Sequence, residues 1–320
     1  MGYAYDVTGN LTKPTYPDGT AVTYGYDVLN RPTSVTDPEG ETAGYTYDIA
    51  GDLAVFVHFN GIITTYTYDT ARRPLGMGSI VSNHQFTLDE NGNRIHSTET
   101  EPLSATPSEA AVSYGYNTTK NRLLSAGSAS YTYDKEGQLA TAVSTAYTFD
   151  YDHRLGAIGS DTQFSYDGRG NRLVATRSGT TTHYVYDPWG NLMAEADASN
   201  DIIRKYIYGK ELLAVVTSSN RYCYHFNATG STIALTDQTR AVVNSYAYDP
   251  FGTILSEQET LTQPFKFVGQ YGVMAEPNGL YSMRRREEGK RWRANQKIAR
   301  ERLPGEKTPG GRRANRSGRL

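Results

Sequence analysis

The ten residues Phe164-Ser165-Tyr166-Asp167-Gly168-Arg169-Gly170-Asn171-Arg172-Leu173 read as a strand, a turn and the start of a returning strand. Side chains along a strand alternate between its two faces, so Phe164 and Tyr166 are expected on the same face. Asp167 opens the turn, because its short carboxylate accepts a backbone N–H inside a reversal. Gly168, Gly170 and Asn171 tolerate the positive φ angles such a turn requires. Arg172 and Leu173 begin the return, with Leu173 expected to face the same core as the two aromatics.

The unit recurs, which makes repetition the first property of the chain. Copies of aromatic-x-aromatic-Asp, some imperfect, begin at Tyr3, Tyr24, Tyr45, Tyr66, Phe86, Tyr114, Tyr131, Phe149, Phe164, Tyr184 and Tyr246, with degenerate forms at Tyr206 and Tyr222. From Asp6 the first steps are 21, 21, 21 and 20 residues, enough for two ordinary strands and two turns. The motif positions expected to carry the structure are Tyr24, Tyr26 and Asp27, then Tyr45, Tyr47 and Asp48, then Tyr66, Tyr68 and Asp69. Later copies place Tyr166, Asp167 and Asn171, and Tyr184, Tyr186 and Asp187, in the same roles. Turn clusters such as Tyr16-Pro17-Asp18-Gly19 and Asp37-Pro38-Glu39-Gly40 fill the other half of the period. Residues 97–112, rich in Ser, Thr and Pro, read as an exposed loop insertion.

Composition points the same way. Among 320 residues, 26 Tyr and 31 Gly favour strands and turns over helices. A mean hydropathy of -0.59 suggests little burial, yet each Tyr brings a large apolar area together with a hydroxyl that can be wetted or paired. Cys223 is the only cysteine, so an intramolecular disulfide and a cysteine-based zinc cluster are both excluded. The net charge of -2 conceals a split: residues 284–320 hold 14 Lys or Arg against 4 Asp or Glu, whereas the remainder has 18 against 30. No basic segment and apolar run of a signal peptide opens the chain. Nor does any stretch reach the roughly 18 apolar residues of a membrane-spanning helix.

The repeated Tyr-x-Tyr-Asp with Gly-Asn-Arg-Leu resembles the YD repeats of Rhs (rearrangement hot spot) proteins, and residues 225–283 resemble the Rhs repeat-associated core. The marks of that core are His225 to Asp237, containing Gly230 and Ser231, then Tyr248-Asp249-Pro250-Phe251-Gly252. Pro264 to Tyr271 follows, with Phe265 and Gly269, and then Gly279-Leu280-Tyr281. The resemblance implies an all-β fold, a spiral antiparallel sheet of hairpins forming part of a hollow shell that encloses or presents a C-terminal toxin or effector. It divides the chain into repeats over 1–224, the core over 225–283 and a basic variable tail over 284–320, expected to be disordered or partly helical. The abrupt start and the short repeat array suggest a fragment whose partners are missing N-terminal shell repeats or a C-terminal effector. The implied setting is secreted or cell-surface, as in a polymorphic toxin or cell-contact protein.

After Met283 the family's Tyr-Tyr-Asp-containing continuation is replaced by Arg284-Arg285-Arg286-Glu287-Glu288, and Asp249 is the last aspartate. The carboxylates that drive self-cleavage in the family therefore have no counterpart here, and no self-cleavage is expected. No catalytic, cofactor or metal constellation is evident: six His are scattered without ligand spacing. Gly168-Arg169-Gly170-Asn171 opens no helix after a strand, as a phosphate loop would. The repeat Asp residues each have a turn to hold. The chain is thus expected to be a non-enzymatic scaffold. Two alternatives stand beside it: glycan binding by stacked tyrosines, and nucleic-acid binding limited to the basic tail.

Overall fold

Each Asp-headed turn closes by the same pair of backbone hydrogen bonds, to which the Asp carboxylate adds its own. In a computed structural model, which describes residues 1–106, 111–276 and 279–282, Asp167 Oδ1 accepts from the N–H groups of Arg169 and Asn171, both at 2.8 Å. Asp167 Oδ2 accepts from the Asn171 side-chain amide at 2.8 Å. Backbone bonds from Gly170 N–H to the Asp167 carbonyl and from Asp167 N–H to the Asn171 carbonyl complete a three-residue loop. The positive φ falls on Gly170 alone, at 84°. Asn171, expected to share that role, instead supplies the donor for Oδ2. The same position carries Asn191 on Asp187, Arg31 on Asp27 and Arg73 on Asp69. Asn and Arg interchange there because each brings an N–H to one carboxylate oxygen.

Beyond the turn, the paired strands slip by one residue. Ser165 pairs with Val174 but Tyr166 with Arg172, leaving Leu173 as the extra residue of a β-bulge. The slip recurs beside the second aromatic of most repeats, at Gly25/Tyr26, Thr46/Tyr47, Thr67/Tyr68, Val185/Tyr186 and Ala247/Tyr248. A bulge bends its strand and increases the local twist. It also reassigns faces. Leu173, expected in the core, is 41% exposed, while Arg172 is 4% exposed and lies inward over the Phe164 ring.

The hairpins follow one another without crossover. Strands from Thr23–Tyr26 to Arg94–Thr100 form an eight-stranded antiparallel sheet, and those from Tyr114–Tyr116 to Ile254–Glu259 form a sixteen-stranded one, each strand pairing with its sequence neighbours. Two further pairs, Gly2–Tyr5 with Leu11–Thr15 and Met274–Ala275 with Tyr281–Ser282, stand at the two ends. The sixteen-stranded sheet runs through residue 225 unbroken. The insertion expected as a loop over 97–112 starts later than its composition suggests, because the strand Arg94–Thr100 continues through Thr100 along its neighbour. The basic tail lies outside the described residues.

The eight-stranded sheet packs on one face of the last repeats. Tyr16, Val35, Tyr45 and Phe56 share a core with Ala194, Ile207, Leu213 and Cys223. The turns join by rungs roughly one repeat apart. Lys205 meets Asp18 at 2.5 Å, Arg221 pairs with Asp37 in a buried contact, and the Asn60 amide donates to Thr236 Oγ1 and the Asp237 carbonyl at 2.9 and 2.8 Å. Residues about 180 apart thereby lie side by side, so the sheet winds back on itself as a spiral wall. The strands Leu192–Ala196, Leu212–Val216 and Thr232–Thr236 are buried at every position because both their faces are covered.

Within a repeat the two aromatics divide the work. The first is the more buried: Tyr45, Tyr184 and Tyr246 are 6%, 8% and 0% exposed. The hydroxyl of the second reaches back to the preceding returning strand. Tyr26 donates to the Leu11 carbonyl, Tyr47 to Pro32, Tyr68 to Leu53, Tyr166 to Leu155 and Tyr248 to Thr232, at 2.7 to 3.0 Å. Replacing Asp167 with Ala removes three acceptor contacts from a hairpin that keeps its backbone, and is expected to cost about 1–3 kcal/mol in denaturant unfolding. Gly170→Val forces a β-branched residue to φ 84° and is expected to cost at least about 1–2 kcal/mol.

Candidate functional site

One face of the last repeats is covered by the chain's own closing segment. Asn244 starts it: its Oδ1 accepts from the N–H groups of Thr260 and Leu261, both at 3.0 Å, and its amide donates to the Leu261 carbonyl at 2.6 Å. Gln263 follows, accepting from Tyr224 and from Phe265 N–H and donating to Tyr246. Phe265 is fully buried and meets the Tyr206 ring edge-on at 5.1 Å. Its carbonyl accepts from Thr232 Oγ1 at 2.6 Å, and Ser231 Oγ accepts from Val268 N–H at 3.1 Å.

The glycines of the core motif explain themselves in this seat. A Cβ on Gly230 would strike Tyr271 and Gln270, and one on Gly252 would strike the Phe267 ring. A Cβ on Gly269 would press against Phe265 and Thr232. Asp249 holds its turn by accepting from Phe251 and Thr253 N–H, both at 2.8 Å, with Pro250 directly after it. Tyr281 donates to the Gly252 carbonyl at 2.6 Å, and Leu280 packs against the cluster around Leu139 and Leu155. Gly279 N–H closes the last turn on the Glu276 carbonyl.

Sequence reasoning missed the buried charge cluster of this segment. Glu276, 5% exposed, lies between Arg172 at 2.5 Å and Arg177 at 2.9 Å. Arg177 also donates to the Tyr184 hydroxyl at 3.1 Å, and both guanidiniums lie over Phe164. Nothing about Glu276 marks it in the linear sequence. The readable signal was the spacing Arg172, Ala175 on the returning strand, where a bulge turns a step of two into a step of three.

A cavity of about 280 Å³ opens between the sheets, lined by His58, Tyr66, Phe86, Glu211, His225 and Gln270 among others. The two imidazoles lie with centroids 4.5 Å apart and planes tilted by 37°, His58 on Thr64 Oγ1 and His225 on Thr236 Oγ1. Burial drives both below the usual histidine range, His225 to about 3, so they are neutral rings at physiological pH. Burial also raises the Glu211 carboxyl to about 7, against the opposing effect of the Gln270 amide that contacts it. The Cys223 thiol, 1% exposed, is pushed up to about 11 by burial and is a packing group. The repeat aspartates Asp27, Asp69, Asp167 and Asp187 are all engaged in their turns. Asp48 likewise accepts from Asp52 N–H.

Hairpins of this form, wound into a wall and closed by a segment of the same chain, define a YD-repeat β-shell. The chain belongs to the teneurin YD-shell family, whose model matches residues 54–278, and residues 5–42 match the RHS Repeat model. Among curated proteins it is similar to the tRNA3(Ser)-specific nuclease WapA of Bacillus spizizenii and the tRNA nuclease WapA of Bacillus subtilis strain 168. Each is 30% identical over 210 residues, 62% of this chain. The chain spans 9% of the length of either. Among solved structures, that of TcdB2-TccC3-TEV covers 88% of the chain with a TM-score of 0.60 at 15% identity, corresponding to 19% of that protein. The Tc holotoxin pore of Photorhabdus luminescens covers 88% with a TM-score of 0.50 at 16% identity, again 19% of that protein. At such identities the likeness is one of fold.

Glu276→Gln strands two inward guanidiniums and is expected to destabilise the protein by about 3–5 kcal/mol, read from denaturant unfolding. Replacing the whole cluster, Arg172→Met and Arg177→Met with Glu276→Leu, is expected to recover most of that loss. Glu211 should act on pH dependence in the sense of a raised acid. The folded state holds its proton to about pH 7, whereas an unfolded carboxyl releases it near 4.3, so stability falls as pH rises between those values. Thermal melts of Glu211→Gln should lose that slope and lie above wild type at pH 7.5.

Proposed function

We propose that this chain is a stretch of non-enzymatic shell wall from a longer Rhs-type polymorphic toxin or cell-contact protein, enclosing or presenting a C-terminal effector. The observation that carries this is the seat of the closing segment. Glu276, the core glycines and Tyr281 pin the chain to the wall just before Ser282. In this scheme residues 1–224 are wall, 225–283 are the closing core and 284–320 lead to or form the variable tip. The WapA relatives, named as tRNA nucleases, are many times longer than this chain. A comparable activity would then reside outside residues 1–282, and the whole protein would be secreted or held at the cell surface. Sugar binding by the repeat tyrosines has less support, because rings such as those of Tyr45 and Tyr246 are buried and the hydroxyls of Tyr47 and Tyr68 are committed to backbone carbonyls, with Tyr5, Tyr116 and Tyr151 exposed.

Antibody against residues 1–282 should detect, in the native host, a product well above 35.4 kDa. The purified 320-residue chain should stay one species by intact mass and should leave tRNA uncut. A sole native species of 35.4 kDa, a discrete cut near residue 284 that survives protease inhibitors, or tRNA cleavage by the chain itself would each overturn this function.

A further inference from the structure

Histidine spacing along the chain gives no hint of a metal site, but strand pairing creates one at the free edge of the eight-stranded sheet. Glu99 on the edge strand Arg94–Thr100 lies directly across from His84 on Asn83–Leu88. Glu101, two residues on, returns to the same face, as the alternation of a strand requires. One ligand atom from each of His84, Glu99 and Glu101 can be chosen so that all lie within 4.8 Å of one another.

His84 supplies the independent sign of a ligand. Its side chain is 0% exposed, yet neither ring nitrogen has a hydrogen-bond partner among the described residues. A buried polar group left unpaired is costly and uncommon. Its Nε2 points toward Glu101 Oε1 at 3.9 Å, too far for a hydrogen bond. Two ligands bound to one tetrahedral ion at about 2.0–2.1 Å each would stand roughly 3.3 Å apart, so a small inward movement would bring nitrogen and oxygen onto a shared cation. The nearby cation Arg94 has its guanidinium 3.9 Å over the Phe86 ring. Glu99 is exposed, which gives an ion a way in from solvent. Glu101 also contacts the Asn227 side chain, so the third ligand already touches the core motif.

We propose that His84, Glu99 and Glu101 bind one divalent cation of the zinc class, with water at the fourth position, stapling the start of the 101–112 insertion to the sheet edge. One imidazole with two carboxylates suits zinc and disfavours magnesium and calcium, which take oxygen donors alone. The staple blunts an edge strand whose outer side pairs with no strand among the described residues.

The full 320-residue chain, stripped with EDTA and desalted, would be titrated with zinc chloride by calorimetry and its retained metal measured by plasma emission. One zinc per chain is expected, with a zinc-dependent rise in melting temperature. Glu99→Gln and Glu101→Gln should weaken binding by more than about tenfold, since loss even of an outer partner does as much. His96→Ala, on the opposite face of the same strand, should bind as wild type. His84→Gln should lose the site as well; where far-UV circular dichroism shows that it fails to fold, the two glutamate variants decide. Retention of no zinc by the wild type, wild-type affinity in both glutamate variants, or binding of calcium or magnesium in preference to zinc would overturn the assignment.

Discussion

A single carboxylate at the head of each Asp-headed hairpin governs the architecture. Two oxygens of an aspartate take up the N–H groups that a three-residue reversal leaves facing inward, and a residue four positions on adds a donor of its own. The loop is then too short to drift, and the strands that leave it are fixed in register. Register is decisive in a sheet, where a slip of one residue exchanges the two faces. A turn repeated with this regularity therefore sets which side chains of the following strand enter the core.

The bulge beside the second aromatic turns that regularity into curvature. Strands of an evenly paired ladder alternate strictly, but here residues three apart, such as Leu212 with Val215 and Leu192 with Glu195, share a face. Added twist at each repeat winds the meander until residues near 18, 37 and 60 meet residues near 205, 221 and 236. The central strands are covered on both faces, which is where the large side chains Tyr206, Tyr224, Leu213 and Ile233 lose almost all contact with water. A chain of low mean hydropathy can fold this way because tyrosine buries its ring while its hydroxyl donates to a carbonyl of the preceding hairpin.

Closure depends on charge as much as on apolar packing. Glu276 is brought between two arginines of a repeat about a hundred residues earlier, and the desolvation of three charged groups is tolerable only because they meet one another and the Phe164 ring. The closing segment is in this way matched to one place on the wall. Its neighbours Gly230, Gly252 and Gly269 leave no room for side chains where it passes.

Sequence alone determined the hairpin, its period and the all-β class, because aspartate, glycine and the aromatic pair act within a few residues of one another and recur. Gly230, Gly252 and Gly269 could be singled out in the same way, as local patterns, but the side chains seated against them could not. What only the tertiary structure decided were relations between distant strands. The bulge put Arg172 inside and Leu173 outside, reversing what simple alternation implies. Glu276 acquired its partners through the fold-back of the closing segment, and His84 met Glu99 through antiparallel pairing rather than through spacing along the chain. A short-range code sets the hairpin, whereas burial, charge pairing and ligand geometry arise only when the spiral brings separate hairpins together.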